Sequence, residues 1–265
     1  MRIWYQSMTG LRELHNYRQA LAATAKAVVP DAQVTFNGVT ESRYHGRQPA
    51  DILRYSYAKL VLQTEAIDIC RRAEADGYDA IVLGSFSEPY LPEIRSLLDI
   101  PVISMAEVAL QVACTLGETV GLVTVAPAYA RRVRMLVRRH GLESRVTLVR
   151  AIAGDLDEAG LDRAIADPAA VVGSFRETAR QAVADGADVI VASEGVLNQI
   201  VHGNGIKSID GATVVDCVGS ALLYAEFAVN LRKRTGIGTT RRGIYAKPPP
   251  DLLAELDAQR PGTAP

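Results

Sequence analysis

The chain has 265 residues, 48% of them hydrophobic and 22% charged, with 29 Lys and Arg against 30 Asp and Glu. That balance excludes a small stapled scaffold and a strongly basic nucleic-acid binder, while the length suits two domains of ordinary size. Three scattered cysteines, with no CxxC or His-Cys cluster, signal neither a disulfide framework nor a zinc site.

No run of about 18 residues is free of charge, and polar Gln6, Ser7 and Thr9 interrupt the apolar N-terminal stretch. Neither a membrane span nor a signal peptide is expected, so the chain reads as cytoplasmic. Short β-rich apolar runs alternate with longer helical patterns along the sequence. Strands are predicted at 2–6, 33–36, 80–83, 101–103, 120–125, 146–149, 189–192 and 213–215. Helices are predicted at 11–28, 50–76, 105–116, 128–140, 168–185 and 218–234, with Gly77, Gly117, Gly141 and Gly186 placed as stops. This alternation predicts βαβ units, parallel sheets and an α/β class. Arg131, Arg132, Arg134, Arg138 and Arg139 fall at helical spacing and read as a solvated helix face, with an anion or nucleic-acid patch as the alternative.

An internal repeat organises the chain. Ala75-Asp76-Gly77-Tyr78-Asp79-Ala80-Ile81-Val82 recurs as Ala184-Asp185-Gly186-Ala187-Asp188-Val189-Ile190-Val191, and 100–104 is echoed more weakly by 212–216. The pattern predicts two similar α/β halves of about 110 residues each. The expected division is a first lobe of residues 1–104 plus 217–240, a second lobe of 105–216, and a surface tail over 241–265.

In open parallel sheets, ligands bind beyond the carboxyl ends of the strands. The repeat therefore puts Ser85 and Glu194 at equivalent strand ends, and two facing halves would bring them to one cleft from opposite sides.

The segments Ala73 to Phe86, Asp99 to Ile103, Ala106 to Ala109, Gly121 to Thr124 and Asp188 to Val191 resemble the aspartate/glutamate racemase superfamily. The likeness is greatest to its hydantoin and allantoin racemase branch, and it spans about residues 1 to 235 in the right order. The resemblance implies two pseudo-symmetric flavodoxin-like lobes around a cleft, a homo-oligomer, no cofactor, and two cysteines exchanging a proton with the substrate's α-carbon from opposite faces. Here Ser85 stands in place of the first cysteine and Glu194 in place of the second. A serine hydroxyl with no basic neighbour is a poor proton acceptor near neutral pH, so symmetric two-thiol exchange is not available. One carboxylate facing one hydroxyl remains.

Further candidates follow the same topology. Ser7 and Thr9 follow the first strand as helix caps or anion contacts, with Gln6 in the same turn able to read a ring amide. Thr124 ends the strand opening the second half, and Ser193, Gly195 and Val196 flank Glu194 at a helix start. Ser87 shares Ser85's turn; Arg43, Tyr44 and His45 lie in a polar loop where related enzymes contribute cleft residues. His202 reads as a surface histidine and Cys217 as a packing residue. There is no GxGxxG after a strand, GxxxxGK[ST], GxSxG or HExxH, so neither nucleotide cofactor nor metal is expected.

The leading expectation is a cofactor-free enzyme acting on a small five-membered cyclic ureide or thio-ureide that carries a carboxylate. In it Glu194 activates water for attack on a ring carbonyl or thiocarbonyl, a hydrolysis. The alternatives are racemisation or isomerisation at the ring α-carbon by Glu194 with Ser85, and a ligand-binding protein without turnover. The partner expected is a small molecule, with no nucleic acid and no membrane.

Overall fold

The computed structural model describes residues 1–154 and 156–259. Strand β1 (Arg2–Gln6) leads through α1 (His15–Val28) to β2 (Gln33–Asn37). A 3-10 turn at Glu41–Tyr44 precedes α2 (Pro49–Leu53), α3 (Ser56–Ala75), β3 (Ala80–Leu83), α4 (Leu91–Leu97) and β4 (Val102–Ser104). Then come α5 (Met105–Leu116), β5 (Val120–Thr124), α6 (Pro127–Arg139), β6 (Val146–Ala151), α7 (Glu158–Ala166) and α8 (Ala169–Ala184). Strand β7 (Val189–Ala192), α9 (Gly195–Gly203), β8 (Ser208–Ile209), β9 (Ala212–Val215), α10 (Cys217–Thr235) and α11 (Pro250–Ala258) complete the order.

The strands form two sheets, β2-β1-β3-β4 and β6-β5-β7-β9-β8. Every pairing is parallel except β8 with β9. Strands β3 and β7 are buried along their whole length, as the continuous apolar runs Ala-Ile-Val-Leu and Val-Ile-Val-Ala demand of strands covered on both faces. Helix α1 buries Tyr17, Leu21 and Ala25, spaced one helical turn apart. Helix α10 returns from the second sheet to pack on α1, α5, β3 and β4.

The repeated motif does the same work twice. Gly77 and Gly186 take φ of 82° and 92° after α3 and α8, closing each helix with a left-handed residue. The aspartate that follows then ties the start of the neighbouring strand. Asp79 accepts from Arg2 N at 2.7 Å, and Asp188 accepts from Glu118 N and Thr119 N at 3.0 and 3.1 Å. The weaker echo is also functional in the fold: Ser104 caps α5 and Asp216 caps α10, each accepting from a backbone N–H three residues on.

Several elements differ from the sequence reading. The single helix expected over 50–76 is broken at Arg54 and Tyr55 into α2 and α3, with Tyr55 extended at φ −91°, ψ 121°. The last carbonyls of a helix lack a helical donor, and Leu53 O accepts instead from Arg132 Nη2 at 3.0 Å. Arg132 therefore does not belong to a purely solvated face. Helices α4, α7 and α9 and the short β8 were not anticipated. Within the segment expected as a tail, α11 is anchored by Arg71 to Asp257, while Arg241 and Lys247 hold Asp99. Residues 260–265 of that segment, including Pro261-Gly262-Thr263, lie outside the described residues. Among the described residues no helix is long and apolar enough to cross a membrane.

Candidate active site

A cleft is lined by the segments that follow the carboxyl ends of β1, β3, β5 and β7. These supply Ser7, Met8 and Thr9; Gly84 through Ser87; Val125; and Ser193 through Val196. Side chains from α1, α3, α6 and α7 close it, including Tyr17, Lys59, Tyr129, Arg132 and Glu158. About 910 Å³ of non-atom space lies within and in front of the cleft, open solvent at the mouth included.

Glu194 and Ser85 stand on this one cleft. Glu194 caps α9, its Oε2 accepting from Leu197 N at 2.8 Å. Burial lifts its proton affinity above the ordinary carboxylate range, and the N–H groups of Leu197, Val196 and Gly195 only partly offset this. In the same lining, Ser85 Oγ and Ser87 Oγ are 3.1 Å apart. Ser85 has no carboxylate or imidazole hydrogen-bond partner among the described residues.

Two glycines allow these turns to approach. A β-carbon on Gly84 would fall 2.2 Å from Tyr5 Cε1, and one on Gly195 would fall 2.5 Å from Tyr17 Oη and 3.8 Å from Gly84 O. Tyr5 and Tyr17 occupy the space so released, their hydroxyls 3.2 Å apart. Burial raises the pKa of both phenols, so both are neutral hydroxyls. Tyr129 is likewise held neutral, by burial first and then by Glu158 and Glu194.

The other sequence candidates divide. Ser7, Thr9, Ser87, Ser193, Gly195 and Val196 line the cleft, with Ser7 Oγ accepting from Thr9 N at 3.0 Å. Gln6 does not line it. Its amide is occupied inside the first sheet, Oε1 accepting from Trp4 Nε1 and Asn37 Nδ2 and Nε2 donating to Ser7 O. Thr124 is buried one layer behind, Oγ1 directed at Ser193 O at 3.5 Å. Tyr44 is also behind the wall, donating to the carbonyl of Met8, which does line the cleft. Arg43 and His45 edge a separate groove beside α3, and Arg43 pairs with Glu65 at 3.0 Å. His202 and Cys217 are absent from the lining; Cys217 is fully buried with Sγ donating to Ala192 O at 3.3 Å. Lys59, Tyr129 and Glu158 were not singled out by sequence, and Arg132 only as one of a run of arginines, because each sits in or at the start of a helix where a polar residue reads as solvent-facing.

A second polar cluster braces the Ser85 turn. Glu88, 2% exposed and at φ 47°, accepts from Ser104 Oγ and is bonded to His140 Nε2 at 2.8 Å. Its own N–H donates to Ser85 O at 3.2 Å. Among the described residues no group of three or more His, Cys, Asp or Glu is gathered as a metal site.

A family model described as Asp/Glu/Hydantoin racemase matches residues 15–222. The hydantoin racemase of Paenarthrobacter aurescens is 26% identical over 235 residues, 88% of this chain and 95% of that one. The hydantoin racemase of Rhizobium meliloti is 31% identical over 165 residues, 60% of this chain and 66% of that one. Allantoin racemase from Klebsiella pneumoniae has the same fold, with a TM-score of 0.73 at 22% identity and 94% of each chain covered.

Proposed function

The chain belongs to the Asp/Glu/hydantoin racemase family, and on that premise we propose that it is a cofactor-independent enzyme moving a proton at the acidic ring carbon of a small cyclic ureide. The substrate class is hydantoin-like or thiohydantoin-like, with a carboxylate on the ring substituent. The observation that carries the reading is Glu194, a carboxylate on the cleft whose proton affinity is raised by burial while three backbone N–H groups keep it in place.

A raised pKa narrows the gap between carboxylate and carbon acid, which favours general-base catalysis by the ionised form of the group. Glu194 takes the ring proton, and negative charge develops on the adjoining carbonyl oxygen. The neutral hydroxyls of Ser85, Ser87, Tyr17 and Tyr129 on the same cleft are donors for that charge. Return of the proton from Glu194 regenerates the starting configuration. Delivery from a water held by the Ser85 and Ser87 hydroxyls gives the opposite one, and the hydroxide left behind is neutralised by the proton that Glu194 then releases to solvent.

A second reading rests on the pairing of Ser85 with Ser87 rather than with a base. In this reading Glu194 deprotonates water for attack on a ring carbonyl or thiocarbonyl, the hydroxyls stabilise the tetrahedral oxyanion or thiolate, and collapse expels the ring amide nitrogen, or sulfide from the thiocarbonyl, which takes the proton held on Glu194. Proton NMR in deuterated water with 5-carboxyethyl hydantoin and its 2-thio analogue separates the two. Loss of the C5 proton signal with an intact ring supports proton transfer; a ring-opened or sulfur-exchanged product supports water attack. An unchanged spectrum at high enzyme concentration with both compounds overturns the substrate class.

A further inference from the structure

Helices α3 and α6 place two cations, Lys59 and Arg132, on the wall of the cleft that holds Glu194 and Ser85. Arg132 is fixed in place. Its Nη2 donates to Leu53 O at 3.0 Å, and its guanidinium lies 5.4 Å from the centre of the Tyr129 ring. A guanidinium carries five N–H donors, and Leu53 O is its one hydrogen-bond acceptor among the described residues. Lys59 is half-buried, with no side-chain hydrogen bond or ion pair among the described residues.

Burial and then Arg132 both depress the Lys59 ammonium, so the two cations are near enough to feel one another. The carboxylates of Glu158 and Glu194 also line this space. Glu158 acts on Tyr44, Tyr129 and Glu194. Two like charges on a partly desolvated wall are a standing repulsion that an anion between them relieves.

We propose that Lys59 and Arg132 are the specificity-determining pair that receives the carboxylate of the ring substituent, gripping it between α3 and α6. The inference rests on the substrate class proposed above and adds the residues that read it. A bidentate guanidinium and an ammonium together suit one carboxylate, whereas a neutral amide of the same shape leaves both charges uncompensated.

The test compares kcat/KM for 5-(2-carboxyethyl)hydantoin and its carboxamide, read as deuterium incorporation or product formation. Each charge-assisted contact is worth about tenfold or more in affinity. The wild-type protein is expected to favour the carboxylate by at least about tenfold, and K59Q to lower that ratio about tenfold through KM. K59R is expected to keep the preference. R132Q is expected to lose it, with thermal unfolding recorded because this change also removes the bond to Leu53. A wild-type ratio near one, or a ratio unmoved in both Gln variants, overturns the pair while leaving the ring chemistry intact. Calorimetric titration with glutarate provides the arm independent of turnover. Binding that weakens in K59Q and R132Q supports the pair even where no ring compound reacts. Glutarate binding equal in all three proteins, or absent from the wild type, overturns it.

Discussion

Replacing Glu194 by Gln separates catalytic from structural duty, because the two respond in opposite directions. The Gln side-chain oxygen can still accept from Leu197 N, so the cap of α9 survives. Loss of the negative charge removes a favourable interaction with the helix start of about 0.3–1 kcal/mol. The raised proton affinity of Glu194 already sums that benefit against burial, and burial wins. An acid whose folded pKa exceeds its unfolded value contributes stability that declines as pH rises through the interval between the two. In its ionised form the carboxylate is therefore a net burden on the fold, and E194Q is expected to melt at a higher temperature than the parent. For a protein of this size, about 1 kcal/mol moves the midpoint by roughly 2–4 °C. Turnover is expected to fall by about 10²–10⁴, the contribution of a positioned general base. E194A, which lacks the acceptor, is expected to lose about 1 kcal/mol relative to E194Q. Differential scanning calorimetry at pH 7 and at pH 4, beside NMR turnover assays, reads both effects. Undiminished turnover, or a fall in melting temperature of E194Q at neutral pH, would refute the reasoning.

The Glu88 and His140 pair gives a pH signature. Hydrogen bonding to Glu88 raises His140, whose contribution is complete below 6.5 and lost as pH climbs through its folded pKa. Burial works against Glu88, yet bonds from His140 and Ser104 bring it below 4.5, so its contribution is present above that value and lost in acid. H140Q should therefore lose most stability between pH 4.5 and 6.5 and little in alkali, as followed by urea unfolding; a pH-independent loss would contradict the pairing. G84A should destabilise by about 1–3 kcal/mol, since its methyl group meets the buried Tyr5 ring at 2.2 Å. A neutral result in chemical denaturation would mean that Tyr5 can move aside. S85C places an ionisable thiol opposite Glu194, and chiral chromatography with deuterium counting should show faster exchange with inversion. Exchange stereochemistry identical to that of the parent would count against Ser85 facing the reacting carbon.

What could be read from sequence followed the physics of each element. Strands β3 and β7 were predicted residue for residue because four apolar side chains flanked by Gly-x-Asp and a polar turn have few other solutions. Helix α4 escaped because it begins at a left-handed Tyr90 followed by Leu-Pro, and α9 because glycines stand at both its ends. Ser85 and Glu194 could be paired through the repeat, since equivalent strand ends in facing sheets share a cleft. Gln6 and Tyr44 were placed near the cleft by sequence adjacency, but their polar groups are satisfied inside the first sheet and against Met8 O. Lys59 was not recoverable, and Arg132 stood out only as one of a run of arginines. Whether a mid-helix cation faces water or a cleft depends on how α3 and α6 are packed, and the break at Arg54 and Tyr55 that frees Leu53 O has no glycine or proline to announce it.

The return of α10 to the first sheet bears on synthesis. Strands β1 to β4 and helix α1 are complete once residue 104 has been made, yet part of their apolar surface waits for 217–235. At about 5–20 residues per second, the ribosome leaves that surface uncovered for on the order of ten seconds. A chain truncated before α10 therefore keeps an open apolar flank on its first sheet rather than forming a free-standing N-terminal unit.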